Sequence, residues 1–325
     1  MTASVLGAGS WGSALALLLG RNGHEVTLFG RNAHELTIME VERENFQYLP
    51  GFPFPENVKF RHFLDGVEDC DLAVIAVPSN AVEEIAEWLG PHATHVAIAS
   101  KGLEADTGRL LTDVVADDCP NRIGVLSGPN LAVEIAKGIP TVAVAASSSP
   151  ECAEAIRTGF HSASFRVSPS SDVVGVELAG ALKNVLAIGG GMSDGLGYGD
   201  NTKGAFLSRG LMEMAKLGVA RGGLMETFLG PAGVGDLFAT ASSKLSRNYR
   251  LGYAVGSGES LRDALKKIGQ VVEGVATAQS AIRLGEQLGV DLPVISSVND
   301  VLLGHFTARE AVTRLMSRRS ESGTY

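Results

Sequence analysis

Short apolar runs punctuate the first half of the chain: Ala3–Leu6, Glu25–Phe29, Leu72–Val77, Val96–Ala99, Ile123–Leu126 and Thr141–Ala145. Several are continuous Val, Ile, Ala and Leu, the pattern of strands covered on both faces. Helical stretches fall between many of them, such as Ser13–Asn22 and Val82–Leu89. That alternation predicts a parallel sheet with helices on both sides.

The pattern changes at Ser168–Ser171, where Pro and Ser punctuate the chain. Asp172 is then placed to cap a helix running through VVGVELAGALKNVLAIGGGM. Beyond it β-rich runs almost disappear, and Leu207–Leu217, Leu261–Ile268 and Thr277–Leu288 read as helices. The expectation is an α/β chain of two domains. Residues 1–170 form a doubly wound sheet, and residues 171–325 form an all-helical domain. A length of 325 residues suits two domains of roughly 100–200 residues each. There is no internal repeat, and the tail after Arg318 is expected to fray.

Composition narrows the class. Hydrophobic residues make up 45% and charged residues 19%, which excludes a disordered chain. The net charge of −9 gives no general attraction for nucleic acid or anionic lipid. Any anionic ligand must be held by a local cluster of donors. The three cysteines, Cys70, Cys119 and Cys152, show no metal-binding spacing, so no metal site is expected. Isolated thiols suit a reducing cytosol. Cys119 precedes Pro120 in an expected loop and reads as structural. A strand begins almost at the first residue, with no leader pattern before it. No uninterrupted apolar run reaches the roughly 18 residues that span a bilayer. The expectation is a cytoplasmic protein without membrane insertion.

The first candidate site is Gly7-Ala8-Gly9-Ser10-Trp11-Gly12, a G-x-G-x-x-G between a strand and a helix. In that context Gly7 permits a tight turn, Gly9 lets backbone approach a pyrophosphate, and Gly12 lets the helix pack closely. The helix N-terminus offers free N–H groups and a positive dipole end. This is a Rossmann-type dinucleotide site, weighed against a glycine-rich turn without a ligand. An NAD-selective site usually has Asp or Glu about 20 residues later, for the ribose 2′-OH. Here Phe29-Gly30-Arg31-Asn32 stands at the strand end. Arg31 can pair with a 2′-phosphate, so the cofactor is NADP or NAD with NADP favoured. The competing reading of Arg31 is a solvated loop charge.

Two lysines stand out for chemistry. Lys101 follows the strand VAIAS, at the sheet edge where ligands of open α/β sheets bind. A surface loop lysine is the alternative. Lys183 lies in an apolar, Gly/Ala-rich helix whose only other charged residue between Val173 and Met192 is Glu177. Partial burial would favour the neutral amine and make it a competent base, while snorkelling to the surface is the alternative. A third cluster, residues 230–250, leads from glycine-rich backbone into Asp236 and then Ser242, Ser243, Lys244, Ser246, Arg247, Asn248 and Arg250. Hydroxyls, an amide and cations together suit a phosphate. The alternative is an exposed polar helix start with Ser246 as its cap.

The motifs GAGSWG, SKGLEADTGRLL, SGPN, ELAGALKNVLAIGGGMSDG, GVGDL, SRN and GQVVEG, in this order, resemble those of bacterial NAD(P)-dependent glycerol-3-phosphate dehydrogenases. The resemblance runs from about residue 3 to about residue 316. It implies reversible reduction of dihydroxyacetone phosphate to sn-glycerol 3-phosphate, feeding glycerophospholipid synthesis. It implies that Lys183 is the proton acceptor and that Lys101 touches both substrate and cofactor. Gly128 and Asn130 then contact substrate, as do Asp236, Ser246, Arg247 and Asn248. Ser10, Trp11, Arg31, Ala132, Arg247, Val271 and Glu273 contact the dinucleotide. Two departures stand out: Asn130 replaces the Thr of many relatives, and Arg31 stands where some carry His.

Two other readings remain open at this point. A dehydrogenase of 2- or 3-hydroxy acids would need a carboxylate site instead of a phosphate site. A redox-sensing regulator would need the dinucleotide fold without the lysines. A homodimer is the assembly to expect from the frequency of two-fold oligomers, although no residue in the sequence specifies it.

Overall fold

The computed structural model describes residues 1–116 and 122–317. The readings of Cys119 and of the tail after Arg318 lie outside the described residues.

Eight strands form one sheet. They are β1 (Thr2–Leu6), β2 (Glu25–Gly30), β3 (Val58–His62), β4 (Cys70–Ile75), β5 (Ala93–Ile98), β6 (Ile123–Ser127), β7 (Thr141–Ser147) and β8 (Phe165–Ser170). Their order is β3-β2-β1-β4-β5-β6-β7-β8. The first six run parallel, and the order reverses between β1 and β4, the switch point of a Rossmann-type sheet. Helices cover both faces. On one side Leu15, Leu19, Ile156 and Phe160 pack with Val5, Leu28, Val74 and Ala97. On the other, Val82, Ile85, Leu89 and Leu111 pack with Leu6, Phe29, Ile75 and Ile98. Consecutive strand residues thus serve opposite faces, which explains the continuous apolar runs.

The expectation of a uniformly parallel sheet needs correction, because β7 is antiparallel to β6. Its Val/Ala pattern suits either direction, and only the path of the preceding loop decides. Two strands have no sequence reading above. In β3, VKFRH mixes charges into the run; β8, FRVSPS, contains Pro169. Both are edge strands, where one side needs no ladder partner, so charge and proline are tolerated. Ser168–Ser170 therefore belongs to the sheet and does not interrupt it. The strand read at Leu72–Val77 is also shifted, to Cys70–Ile75.

After Ser170 the described residues contain helices and no strand. Asp172 caps the first helix, Val173–Gly195, by accepting from the Gly175 N–H at 2.9 Å. This helix is long and apolar enough to cross a membrane by length and composition, yet 89% of its most apolar window is buried within the molecule. It is the axis of the helical core, surrounded by Met214, Leu217, Phe228, Leu251, Ala278 and Ile295. Its glycines have a packing purpose: a Cβ on Gly191 would meet the Tyr249 carbonyl, and one on Gly252 the Ile188 carbonyl. Two helices cross there backbone to backbone.

Buried carboxylates tie elements together. Glu177 accepts from Leu111 N at 2.5 Å and from Thr112 Oγ1 at 2.6 Å. It thereby satisfies the start of the short Leu111–Val115 helix and joins it to the central helix. Glu213 does the same for the Pro293–Leu302 helix, accepting from Val294 N at 2.7 Å and Ile295 N at 3.1 Å. Burial pushes both carboxyls up to about 7, against the hydrogen bonds that favour their ionised forms.

Candidate active site

Because β1, β2, β4, β5 and β6 are parallel, the loops after them leave from one edge of the sheet. They carry the Gly7–Gly12 turn, Arg31, Ser79, Lys101, and Gly128 through Ala132 respectively. Residues far apart in sequence therefore converge.

The glycine turn has the geometry its three glycines require. Gly7 has φ +120°, and a Cβ there would lie 2.8 Å from the Ala76 carbonyl oxygen. A Cβ on Gly12 would collide with the Gly7 carbonyl, so the Ser10–Arg21 helix can begin this close to β1 only with glycine. Gly9 differs: a Cβ there meets nothing within 4 Å. Its backbone faces open space at a helix N-terminus, as a pyrophosphate site requires. Gly7 N–H donates to the Phe29 carbonyl at 3.0 Å, which sets the end of β2 beside the turn. Ser10 Oγ donates to the Tyr48 carbonyl at 2.6 Å, and Trp11 Nε1–H to the Ala99 carbonyl at 2.9 Å. The tryptophan thus joins the glycine turn to the loop carrying Lys101. Arg31 is exposed, and its side chain has no partner among the described residues.

The lysines meet at one carboxylate. Lys183 Nζ donates to Asp236 Oδ1 at 2.8 Å and to Thr240 Oγ1 at 2.7 Å. Lys101 Nζ donates to Asp236 Oδ2 at 2.8 Å and to the Gly128 carbonyl at 2.9 Å. Lys183 is 6% exposed and Asp236 1%, so Lys183 does not snorkel. Burial lowers the Lys183 pKa to about 8; Asp236 opposes that shift and Lys101 adds to it. Burial alone would raise Asp236, but the two ammonium groups outweigh it and hold its carboxyl below the usual range. An ammonium has three N–H bonds. Each lysine therefore keeps one beyond its two protein partners.

A polar relay extends from Lys101. Its carbonyl accepts from Asn184 Nδ2 at 3.1 Å, Asn184 Oδ1 accepts from Asn248 Nδ2 at 2.9 Å, and Asn248 Oδ1 accepts from Gly274 N at 3.0 Å. Beside it, Glu273 accepts from Ser79 N at 3.2 Å and Ser79 Oγ at 2.6 Å, joining the helical half to the loop after β4. Burial raises the Glu273 carboxyl; burial also lowers Arg247, with the Glu273 charge opposing. Lys101, Lys183 and Arg247 outnumber Asp236 and Glu273 here, so this acidic protein keeps a local cationic cluster.

The remaining sequence candidates are less uniform. Asn130 Nδ2 donates to the Val142 carbonyl at 3.1 Å, while its Oδ1 is buried without a protein partner. Ala132 opens the Ala132–Ala136 helix. Ser246 caps the Arg247–Gly256 helix through the Tyr249 N–H at 3.2 Å, as the alternative reading had it, but the helix start is not exposed: Ser246 and Asn248 are buried. Val271 is 50% exposed and lies outside the lysine cluster. Thr240, Asn184 and Ser79 were not singled out in the sequence. Thr240 had a legible signal, since it stands four residues after Asp236 and shares its helix face. Asn184 and Ser79 have none without the fold.

Residues 2–153 match the family model for the N-terminus of NAD-dependent glycerol-3-phosphate dehydrogenase, and residues 172–313 match that for its C-terminus. The chain is 41% identical over 322 residues to the glycerol-3-phosphate dehydrogenase (NAD(P)+) of Fusobacterium nucleatum, covering 97% of this chain and 96% of the relative. It is 44% identical to that of a Thermoanaerobacter species, with 98% and 97% covered. The crystal structure of glycerol-3-phosphate dehydrogenase from Coxiella burnetii superimposes with a TM-score of 0.92 at 38% identity, covering 98% of this chain and 99% of that one. With both halves matched in order and the relatives aligned over nearly their whole length, the chain belongs to the NAD(P)-dependent glycerol-3-phosphate dehydrogenase family, and it is an oxidoreductase working with NAD or NADP.

Proposed function

We propose that the protein interconverts dihydroxyacetone phosphate and sn-glycerol 3-phosphate, with Lys183 as the group that gives and takes the proton. The observation that carries this reading is the sheltered lysine itself. Its ammonium is oriented by Asp236 and Thr240 and retains one N–H for a substrate oxygen. The Gly7–Gly12 turn would hold a nicotinamide dinucleotide, which when bound would supply or accept the hydride at substrate C2. In reduction, protonated Lys183 donates to the oxygen on C2 as that oxygen gains charge. In oxidation, neutral Lys183 takes the hydroxyl proton. Lys101 presents a second N–H and adds positive charge where the oxyanion develops. Asp236 keeps both lysines in place and offsets their repulsion.

The other contacts belong to the same proposal. Gly128, Asn130, Ser246, Arg247 and Asn248 hold the substrate, whose phosphate suits the Arg247 side of the cluster. Gly7, Gly9, Ser10, Trp11, Gly12, Arg31, Ala132, Val271 and Glu273 hold the dinucleotide, and the Arg31 guanidinium favours NADP. Residues 1–170 serve as the dinucleotide domain and residues 171–325 as the substrate domain. The product would supply glycerophospholipid synthesis in the cytoplasm.

The test is reduced-nicotinamide absorbance with dihydroxyacetone phosphate, comparing NADPH with NADH and wild type with Lys183→Ala. Turnover by wild type is expected, with loss in the variant while NADPH still binds. Absence of turnover from wild type that binds NADPH would overturn the reading.

A further inference from the structure

At the far side of the dinucleotide site, the end of β3 holds the end of β2. Gly30 and His62 are register partners. One residue on, the Arg31 carbonyl lies 2.8 Å from His62 Nε2. A carbonyl only accepts, so Nε2 carries the hydrogen. The other ring nitrogen, Nδ1, accepts from the Leu64 N–H at 3.0 Å and so carries none. The two partners distinguish the ring nitrogens, Nε2 as donor and Nδ1 as acceptor. The ring is held in turn by its own backbone, because His62 N–H donates to Asp65 Oδ2 at 2.9 Å across the Phe63–Asp65 turn.

Arg61, on the same strand, is occupied by Glu68 at 2.7 Å. Arg31 therefore remains the cation at this corner without a side-chain partner among the described residues. It is adjacent to Gly30, whose Cβ position lies 3.2 Å from the Ala8 Cβ of the glycine turn. A carbonyl turned toward an anion repels it, and a carbonyl tied to β3 is drawn away from the turn.

We propose that His62 is a positioning residue for cofactor choice: by holding the Arg31 carbonyl, it sets the Arg31 guanidinium for a 2′-phosphate and raises the preference for NADP over NAD. This rests on the reading of Arg31 as the 2′-phosphate partner. The imidazole uses two atoms for two jobs, so two amides separate them. In His62→Gln the amide nitrogen stands near the Nε2 position and can still donate to Arg31. In His62→Asn the amide oxygen stands near Nδ1 and can still accept from Leu64, but the donor to Arg31 is lost.

The experiment measures KM and kcat for NADPH and for NADH in wild type, His62→Gln, His62→Asn and Arg31→Ala, with Tm recorded for each. His62→Asn is expected to raise KM for NADPH by about three- to tenfold, the range of one hydrogen bond, with kcat and the KM for NADH unchanged. His62→Gln is expected to retain the wild-type preference. Added to Arg31→Ala, His62→Asn is expected to have no further effect. Equal losses with both cofactors, or a greater loss of preference in Gln than in Asn, would overturn the role of His62. If Arg31→Ala weakens NADPH selectively while His62→Asn does not, the reading of Arg31 stands and that of His62 falls. If Arg31→Ala leaves the ratio unchanged, both fall.

Discussion

The Lys183 ammonium lies 2.8 Å from Asp236 Oδ1, and both groups are almost wholly removed from water. The other carboxylate oxygen faces Lys101 at the same distance. One aspartate thus pairs with two cations, Lys183 buried and Lys101 partly so. Such an arrangement is costly for the fold, since buried charges tolerate the loss of a partner poorly.

Asp236→Asn tests this dependence. The variant retains shape but leaves the buried Lys183 ammonium and the partly buried Lys101 ammonium without their counter-charge. We expect a loss of about 3–5 kcal/mol in urea unfolding, the usual cost of breaking a buried pair. Loss of the opposing charge should also lower the Lys183 pKa further from about 8. A variant as stable as wild type would show that the lysines have other anchors.

The pH profile follows from the same lysine. Reduction needs the ammonium, so kcat/KM for the ketone should fall as pH rises through about 8. Oxidation needs the amine, so kcat/KM for the alcohol should rise through the same point. Parallel profiles in the two directions would remove Lys183 from proton transfer.

The glycine turn predicts two different failures. Gly12→Ala introduces a methyl against the Gly7 carbonyl, so Tm should drop and NADPH binding fall with it. Gly9→Ala introduces a methyl into open space, so the fold should keep its Tm. Its NADPH affinity should nonetheless fall by tenfold or more, on the order of 1.4 kcal/mol, because the methyl occupies the approach to the backbone. Thermal melts with and without NADPH separate the two outcomes.

Glu177 makes a prediction about stability alone. Its folded pKa of about 7 lies above the ordinary 4.5, so the folded state holds the proton more tightly than the unfolded chain. Between about pH 4.5 and 7 this group lowers stability as pH rises. Glu177→Gln removes the titration. The stability of the variant relative to wild type should therefore increase from pH 5 to pH 8, on the order of 1–3 kcal/mol. A difference independent of pH would mean that Glu177 is ionised throughout.

Local order and the dinucleotide turn were legible in the sequence. Buried strands require uninterrupted apolar runs, and a strand–turn–helix at a pyrophosphate requires glycine at fixed places, so β1, β5 and Gly7–Gly12 announced themselves. The capping of Val173–Gly195 by Asp172 was legible too, because a cap acts over three residues. The edge strands were not, since a strand with a single neighbour tolerates the charges of β3 and the proline of β8. Nor was the reversal of β7, because strand direction leaves no mark on side-chain pattern. Lys101 stood out in the sequence at the end of a strand, and Lys183 as a lone lysine in an apolar helix. Their meeting at Asp236, 135 and 53 residues away, came only with the packing of the central helix against the sheet edge. The sequence by itself determined which segments were buried and which turn could take a dinucleotide, because those depend on neighbours along the chain. Tertiary structure alone decided which charges share one dry carboxylate, because burial and electrostatics depend on neighbours in space.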